Sequence, residues 1–188
     1  VSLLLLSSGG NAWEGVRVNL RRANGSYVAR TTTDTSGIAT FEVVPEAEMI
    51  LEVDYNGDTY RTELLHPGLN PVAEVNTVPF SLTLTDNDEN GIVDTRVNLR
   101  RANGSYVART TTDATGAAAF EVVPGAEMLL EADYNGGTWR TPVSQVDTAT
   151  ETAVQTIVLG AAVSDADGTP IADARLNLRR ANGSYITR

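Results

Sequence analysis

Apolar and polar residues alternate one by one along much of this chain, as they do in β-strands that bury one face. Between Val16 and Arg21, valine and leucine occupy every second position, with arginine and asparagine between them. Met49 to Tyr55 shows the same period of two, and no stretch shows the 3.6-residue period of an amphipathic helix. The pattern therefore predicts an all-β protein built from short strands.

The whole pattern repeats at a constant spacing along the chain. Asn19 to Tyr27 returns at Asn98 to Tyr106 and again at Asn177 to Tyr185, so equivalent positions lie 79 apart. Arg17 to Asp34 is repeated unchanged as Arg96 to Asp113. A fixed period of this length indicates that each repeat is one folding unit.

The period divides the chain into residues 1–79, residues 80–158 and an incomplete stretch at 159–188. Seven short strands per full unit, separated by turn signals, predict a two-sheet sandwich of immunoglobulin-like architecture. Almost no linker is left at Leu159-Gly160, so consecutive sandwiches should form a stiff rod. The third stretch would lack about four strands, so we expect a longer array or completion by another subunit.

In the first unit, two Asn-Gly pairs predict tight hairpins, because both central positions of such a turn need positive φ. They stand at Asn24-Gly25 and Asn56-Gly57. The second turn would pair Glu52 with Arg61 on the outer face, as an exposed ion pair, and Val53 with Tyr60 inside.

A third turn, Asp34 to Gly37, is predicted from side-chain parity. A three-residue loop ending in a left-handed Gly37 keeps Phe41 inside, whereas a four-residue loop would turn it outward. This register would place Arg30 opposite Glu42 on the outer face, and Arg109 opposite Glu121 in the second unit.

Composition narrows the function classes. The chain has no Cys and no Lys, and its net charge is −10, so it should repel nucleic acid and anionic membranes. Val1 to Leu6 lacks a basic flank and is too short to span a bilayer, and the period makes it the first strand of the first unit. Leu4 and Leu6 then stand on its outer face, where the second unit has Thr83 and Thr85.

No catalytic constellation is visible. His66 is the only histidine, and without Cys or a second His neither a nucleophile–base pair nor a zinc site can form. The acidic residues fall on alternating outward positions opposite arginines, which is typical of a solvated face rather than of paired catalytic carboxylates. We therefore predict a protein that is not an enzyme and carries no cofactor.

Part of the third stretch and two segments of the first unit resemble a known family. Val163 to Leu178, together with Thr33 to Gly37 and Phe41 to Pro45, resembles the prealbumin-like sandwich repeats. That group includes the carboxypeptidase regulatory-like domain and the Cna-B-type and SdrD-B-type repeats of bacterial surface proteins. The resemblance implies a seven-strand sandwich that serves as a spacer in secreted or cell-surface proteins. The missing Lys excludes the internal isopeptide bond of Cna-B-type repeats.

One acidic loop is a candidate Ca²⁺ site. Asp86, Asp88, Asn90 and Asp94 stand at positions 1, 3, 5 and 9 of a loop with Gly at position 6, the spacing by which oxygen ligands surround a hard cation. SdrD-B-type repeats carry a similar loop. Position 12 is Val97 instead of a bidentate carboxylate, so a solvated acidic turn stays open as the alternative.

Each repeat also carries an Asn-Gly-Ser sequon at a predicted hairpin tip, with the acceptors Asn24, Asn103 and Asn182. Asn-Gly is also the preferred hairpin turn, so glycosylation and turn geometry both account for it.

Trp13 is expected to be a core residue at the end of the first sandwich. Trp139 and Tyr60 are expected inside, or would line a sugar-binding face if the strand parity were shifted by one residue.

These observations favour a structural protein: the shaft of an extracellular filament or the stalk of a surface adhesin, self-associating into a filament or a longer tandem array. Lateral contacts are expected at the outward apolar residues Leu4, Leu6, Ile50 and Leu129. The alternative is a carbohydrate-binding accessory module of a secreted enzyme, which would need an exposed aromatic platform.

Overall fold

A computed structural model describes residues 1–69 and 72–187 of the chain, and within these ranges every regular element is a β-strand. The all-β prediction is therefore confirmed. No helix in these ranges has the length and apolar character needed to cross a bilayer.

Seven strands form a first unit, and eight form a second. The first unit contains β1 (Ser2–Leu6), β2 (Arg17–Arg22), β3 (Tyr27–Thr32), β4 (Ile38–Thr40), β5 (Met49–Tyr55), β6 (Asp58–Arg61) and β7 (Val72–Asn76). The second contains β8 (Val78–Thr85), β9 (Arg96–Arg101), β10 (Tyr106–Thr111), β11 (Ala117–Val122), β12 (Ala126–Tyr134), β13 (Gly137–Arg140), β14 (Ser144–Val146) and β15 (Thr150–Gln155).

Each unit has one three-stranded sheet and one larger sheet. In the first unit the orders are β4-β1-β7 and β3-β2-β5-β6, and in the second they are β11-β8-β15 and β10-β9-β12-β13. The strands β7 and β15 run parallel to β1 and β8, whereas the other pairs are antiparallel. The additional strand β14 pairs with β12, where the first unit has only an isolated bridge between Met49 and Leu65.

The core of each unit is formed by the inner faces of both sheets. Leu3 and Leu5 of β1 are fully buried, as are Leu51 and Val53 of β5 in the other sheet. Most of the buried apolar side chains of both units belong to one cluster, which among the described residues excludes only Leu84 and Leu129. Period-two patterning thus places the predicted side chains inside, and burial on this scale is the main stabilising contribution to such a domain.

The turn at Asp34 to Gly37 connects the two sheets instead of two neighbouring strands. Gly37 has the expected positive φ of 77°, and Phe41 is buried as predicted. However, β4 pairs with β1 and not with β3, so the predicted register across this turn is wrong. Parity reports which face of a strand is buried, but it does not report which strand lies alongside.

The outer-face pairs predicted from that register are therefore wrong as well. Arg30 lies opposite Asn19 rather than Glu42, and Arg109 lies opposite Asn98 rather than Glu121.

The two kinds of Asn-Gly turn differ. At Asn56-Gly57 both residues have positive φ, 42° and 81°, and the predicted pairs Glu52–Arg61 and Val53–Tyr60 are present. At Asn24-Gly25 only the glycine has positive φ. Its amide donates to the carbonyl of Arg22, so the loop has three residues. A bulge follows in β3, where Val28 is the extra residue, which corrects the prediction of two positive-φ positions.

The third stretch contains only a short pair, β16 (Leu178–Arg179) with β17 (Tyr185–Thr187). Leu159 to Ser164, which the period aligns with β1 and β8, forms no strand and contains only an isolated bridge from Ser164 to Pro170. The counterparts β1 and β8 are each flanked by two strands, and no described residue beyond 158 supplies such partners. Most side chains of this stretch are accordingly exposed.

Candidate functional site

The most elaborate polar arrangement in the described chain lies where the first unit meets the second. A single residue, Thr77, separates β7 from β8. Its amide donates to the carbonyl of Leu6 at 2.8 Å, and its counterpart in the next repeat, Thr156, donates to Thr85 at the same distance. The chain therefore leaves both full units by the same backbone contact. Between the first two units, only one residue separates consecutive strands.

The hairpin between β5 and β6 reaches across the junction. We call Tyr55 to Asp58 the Asn-Gly tip of the first unit. Arg101 of the second unit donates from Nε to the carbonyl oxygen of Gly57 at 2.5 Å, and Val107 packs against the same glycine. A Cβ on Gly57 would lie 2.6 Å from Val107 Cγ2, so the close approach requires glycine.

Glu121 of the second unit binds three separate segments of the first. Its carboxylate accepts hydrogen bonds from Thr77 Oγ1 at 2.5 Å and from the amide and hydroxyl of Ser8. Its carbonyl oxygen accepts from Asn56 Nδ2 at 2.7 Å. Hydrogen bonds to a charged carboxylate are stronger than those between neutral groups. Glu121 therefore holds together three segments: Thr77 between β7 and β8, the loop after β1 that contains Ser8, and the Asn-Gly tip.

An aromatic pair of the first unit lies next to this junction. The rings of Trp13 and Tyr55 lie 5.0 Å apart with a tilt of 45°, and Trp13 Nε1 donates to Thr77 Oγ1 at 3.3 Å. Burial, with a smaller contribution from the charge of Glu121, raises the pKa of Tyr55 to about 12. Trp13 packs against the core, as predicted, and it also borders the second unit through Thr77.

The same contact recurs after the second unit. Arg180 donates from Nε to the carbonyl of Gly136 at 2.7 Å, and Ile186 packs against this glycine. These residues are the equivalents, one repeat later, of Arg101, Gly57 and Val107. Hence Arg180 and Ile186 contact the Asn-Gly turn of the second unit as Arg101 and Val107 contact that of the first.

Sequence reasoning did not find this junction. The available signal was that Arg22, Arg101 and Arg180 recur unchanged two residues before the asparagine of each Asn-Gly-Ser turn, although arginine is not required for the turn.

A second polar cluster lies on the larger sheet of each unit, around Glu52 and Glu131. The Glu52 carboxylate accepts from Arg21 at 2.8 Å, Arg61 at 2.7 Å and Asn19 at 3.2 Å. Its side chain is only 5% exposed, so the predicted exposed ion pair is in fact buried on its acidic side. Burial raises the pKa of Glu52, but the hydrogen bonds and charges of the two arginines outweigh burial and lower it overall.

The acidic loop is organised as a turn. Asp86 Oδ1 accepts from the amides of Asp88 and Asn90 at 2.8 and 2.9 Å, which lowers the pKa of Asp86, with the Asn90 amide as the main cause. Asp34 and Asp113 cap their turns in the same way. Among the described residues, which include Asp86, Asp88 and Asp94, no group of three or more His, Cys, Asp or Glu side chains is arranged to hold a metal ion.

The three sequon asparagines lie at exposed hairpin tips. Asn24, Asn103 and Asn182 each accept, through Oδ1, the amide hydrogen of the serine two residues later. Their side-chain amides thus help to shape the turn, and the tips stay accessible from solvent.

The residues proposed for lateral contact differ in exposure. Leu4, Leu6 and Ile50 are partly buried on outer faces, but Leu129 is only 8% exposed and offers little free surface. His66 lies between β6 and β7, with Nδ1 3.9 Å from a Glu48 carboxylate oxygen.

The two residues considered for a sugar-binding face do not share one environment. Tyr60 packs against the core as predicted, whereas Trp139 is 36% exposed, so the prediction that it lies inside is wrong.

No protein-family model matches this chain, and no curated protein matches it. Several solved structures, pilins among them, are similar to it at low identity. The minor pilin GBS52 of Streptococcus agalactiae has a TM-score of 0.38 at 12% identity, covering 95% of this chain and 99% of that one. The shaft pilin SpaA of Lactobacillus rhamnosus GG has a TM-score of 0.34 at 10% identity, covering 85% and 98%.

The Bacillus anthracis TIE protein has a TM-score of 0.35 at 15% identity. The comparison covers 82% of this chain and 33% of that protein, so this chain spans about a third of its length. Because every one of these TM-scores is below 0.5, the fold assignment rests on the sheets described above.

Proposed function

We propose that this chain is a structural repeat protein that forms the shaft of an extracellular filament or the stalk of a surface adhesin, and that it does not act as an enzyme. The observation that supports this most is the recurrence of one junction contact, Arg101 to Gly57 and Arg180 to Gly136, at the spacing of the repeat. Repetition of one head-to-tail contact gives a constant rise and rotation per unit, so that added units add length.

The junction has the features of a rigid connection rather than of a hinge. A one-residue linker leaves no flexible segment, and Glu121 fixes three parts of the first unit at once. Each full unit would then extend the shaft by about 30–40 Å. A stiff spacer suits a shaft or stalk that keeps a terminal domain at a distance from the cell surface. The net charge of −10 is consistent with a protein that does not bind nucleic acid.

The test is whether the first two units move as one body. Residual dipolar couplings measured by NMR should fit a single alignment tensor for residues 1–69 and 78–155. The double variant Arg101→Ala/Val107→Ser should give two different tensors, because it removes the guanidinium and apolar contacts with Gly57 and leaves the Asn-Gly tip only its bonds to Glu121 and Glu127. The matched variant Arg22→Ala/Val28→Ser changes the equivalent residues of the first unit, and a single tensor is expected. Two independent tensors in the unmodified chain would overturn the proposal.

Assembly into a filament would also need lateral or end contacts. We propose Leu4, Leu6 and Ile50 as lateral contacts, because they are apolar and lie on outer strand faces. Ile50→Asp should reduce self-association, measured by sedimentation velocity, without lowering the melting temperature by more than about 2 °C. Leu129→Asp is not an equivalent test, since a charge at this buried position would also destabilise the fold.

A surface location would make the hairpin tips available to glycosyltransferases, and we propose Asn24, Asn103 and Asn182 as acceptors. The intact mass of the protein from its native source should then exceed that of the bare sequence. A mass equal to the bare sequence would exclude glycosylation.

A further inference from the structure

The first unit carries the same receptor that the second unit uses at the junction. We propose that Arg22, Val28 and Glu42 form a docking face for the Asn-Gly tip of a preceding unit of the same repeat. This inference rests on the proposed function and adds to it the contact by which the array extends in the N-terminal direction.

The geometry of Arg22 matches that of its two engaged counterparts. Arg101 and Arg180 each hold Nη1 near the serine hydroxyl of their own hairpin, Ser105 at 3.1 Å and Ser184 at 3.5 Å, while Nε binds the glycine carbonyl of the preceding unit.

Arg22 makes the same contact, with Nη1 3.4 Å from Ser26 Oγ. In the described part of the chain its Nε has no acceptor. The side chain is therefore positioned by its own hairpin before any partner arrives, which reduces the entropy cost of docking.

The apolar and acidic parts of the face are exposed in the first unit and covered in the second. Val28 is 39% exposed, whereas its counterpart Val107 is partly buried against Gly57. Glu42 is exposed, whereas its counterpart Glu121 accepts from Ser8, Thr77 and Asn56. The face thus offers a guanidinium donor, a small apolar contact and the backbone carbonyl of Glu42 to the Asn-Gly tip of a preceding unit. The Glu42 carboxylate would accept from the first loop and the linker of that unit, as the Glu121 carboxylate accepts from Ser8 and Thr77.

The neighbouring backbone points to the same occupant. In the second unit β11 continues to Val122, because β8 begins at Val78 and supplies Val78 and Pro79 as partners. In the first unit β4 ends at Thr40, and residues 41–44 are not in a strand. A preceding unit would bring its own final strand and linker to this edge, so that residues 41–43 could pair as residues 120–122 do.

The experiment uses an extended chain in which residues 1–79 are duplicated directly before Val1, so that the new Asn-Gly tip faces Arg22 in natural register. We expect Arg22→Ala, made in the original first unit, to lower the melting temperature of the extended chain by as much as Arg101→Ala does. The same substitution should leave the melting temperature of the 188-residue chain unchanged. Hydrogen exchange of residues 42–44 should slow at least about tenfold in the extended chain. Arg30→Ala, an exposed arginine outside the face, serves as the control.

The outcomes separate the alternatives. If Arg22→Ala has no effect in the extended chain and exchange at residues 42–44 is not slowed, the docking face is refuted. A single alignment tensor for the first two units would still support the proposed function in that case. If the 188-residue chain dimerises and Arg22→Ala abolishes the dimer, the occupant is a second copy and the assignment to a preceding unit is overturned.

Discussion

At the residue scale, the buried carboxylates of Glu52 and Glu131 contribute more to the stability of the fold than their sequence positions suggest. Each stands on the face that alternation assigns to solvent, yet each side chain is at most 5% exposed. Two arginines and an asparagine surround the carboxylate and replace the water that it loses. Such a cluster stabilises the fold only while every member is present, because one missing partner leaves a buried charge uncompensated.

We predict that Glu131→Gln destabilises the second unit by about 2–3 kcal/mol, because Arg100 and Arg140 lose their shared acceptor charge. Glu127→Gln, at an exposed position four residues earlier on the same strand, should change stability by less than about 0.5 kcal/mol. Urea unfolding followed by circular dichroism measures both. Equal effects of the two variants would contradict the burial argument.

The same cluster predicts a pH dependence. Burial raises the pKa of Glu131, but Arg100 and Arg140 lower it overall below its ordinary value of 4.5. A lowered folded-state pKa means that the stabilisation is complete above about pH 4.5 and is lost as the pH falls through the folded value. Glu131→Gln should therefore reduce the acid sensitivity of unfolding. An unchanged slope of stability against pH below 4.5 would argue against this assignment.

At the element scale, glycines in left-handed conformation allow the turns to lie against neighbouring strands. Gly116 has a φ of 80°, and a Cβ there would overlap the carbonyl oxygen of Leu84. Gly104 has nearly the same φ, 82°, but open space around it. Comparing substitutions at these two glycines therefore separates the energetic cost of the left-handed backbone from the cost of steric contact.

Gly104→Ala should cost about 1 kcal/mol, the ordinary penalty of a left-handed alanine. Gly116→Ala should cost at least about 3 kcal/mol, because the turn must also move away from β8. Thermal unfolding of both variants gives the comparison. If the two variants lose the same stability, the close approach of this turn to β8 carries no energetic weight.

The two-residue hairpins allow a similar separation at the junction. Asn56 and Asn135 have positive φ of 42° and 43°, but in the described residues only Asn56 donates its side-chain amide to another unit, at Glu121. We expect Asn135→Ala to cost about 1 kcal/mol for the backbone conformation, and Asn56→Ala to cost about 1 kcal/mol more for the lost hydrogen bond. Equal losses in chemical denaturation would show that the Asn56 bond does not stabilise the junction.

At the scale of the whole molecule, the junction couples the stability of the two units. A small sandwich without disulfides is only modestly stable alone, and repeat arrays gain stability from contacts between neighbours. Glu121 is the residue on which these contacts converge, while its counterpart Glu42 contributes to no junction in the described residues.

Differential scanning calorimetry should therefore show one cooperative transition for the two full units. Glu121→Ala should split it into two or lower it by several degrees, because the first unit loses its contacts with the second. Glu42→Ala, the matched change at position 42, should leave the transition unaltered. Two separate transitions in the unmodified protein would mean that the units unfold independently.

The sequence by itself determined the strands, the faces that they bury, the repeat period and the positions of the turns. These follow from local rules: alternation, the φ requirements of Asn-Gly pairs and identity between copies. Only the tertiary structure decided that β4 pairs with β1, that Glu52 is buried, and that Arg101 binds the Asn-Gly tip. Each of these depends on which distant segments come together, and a strand with one apolar face can meet that requirement beside more than one partner.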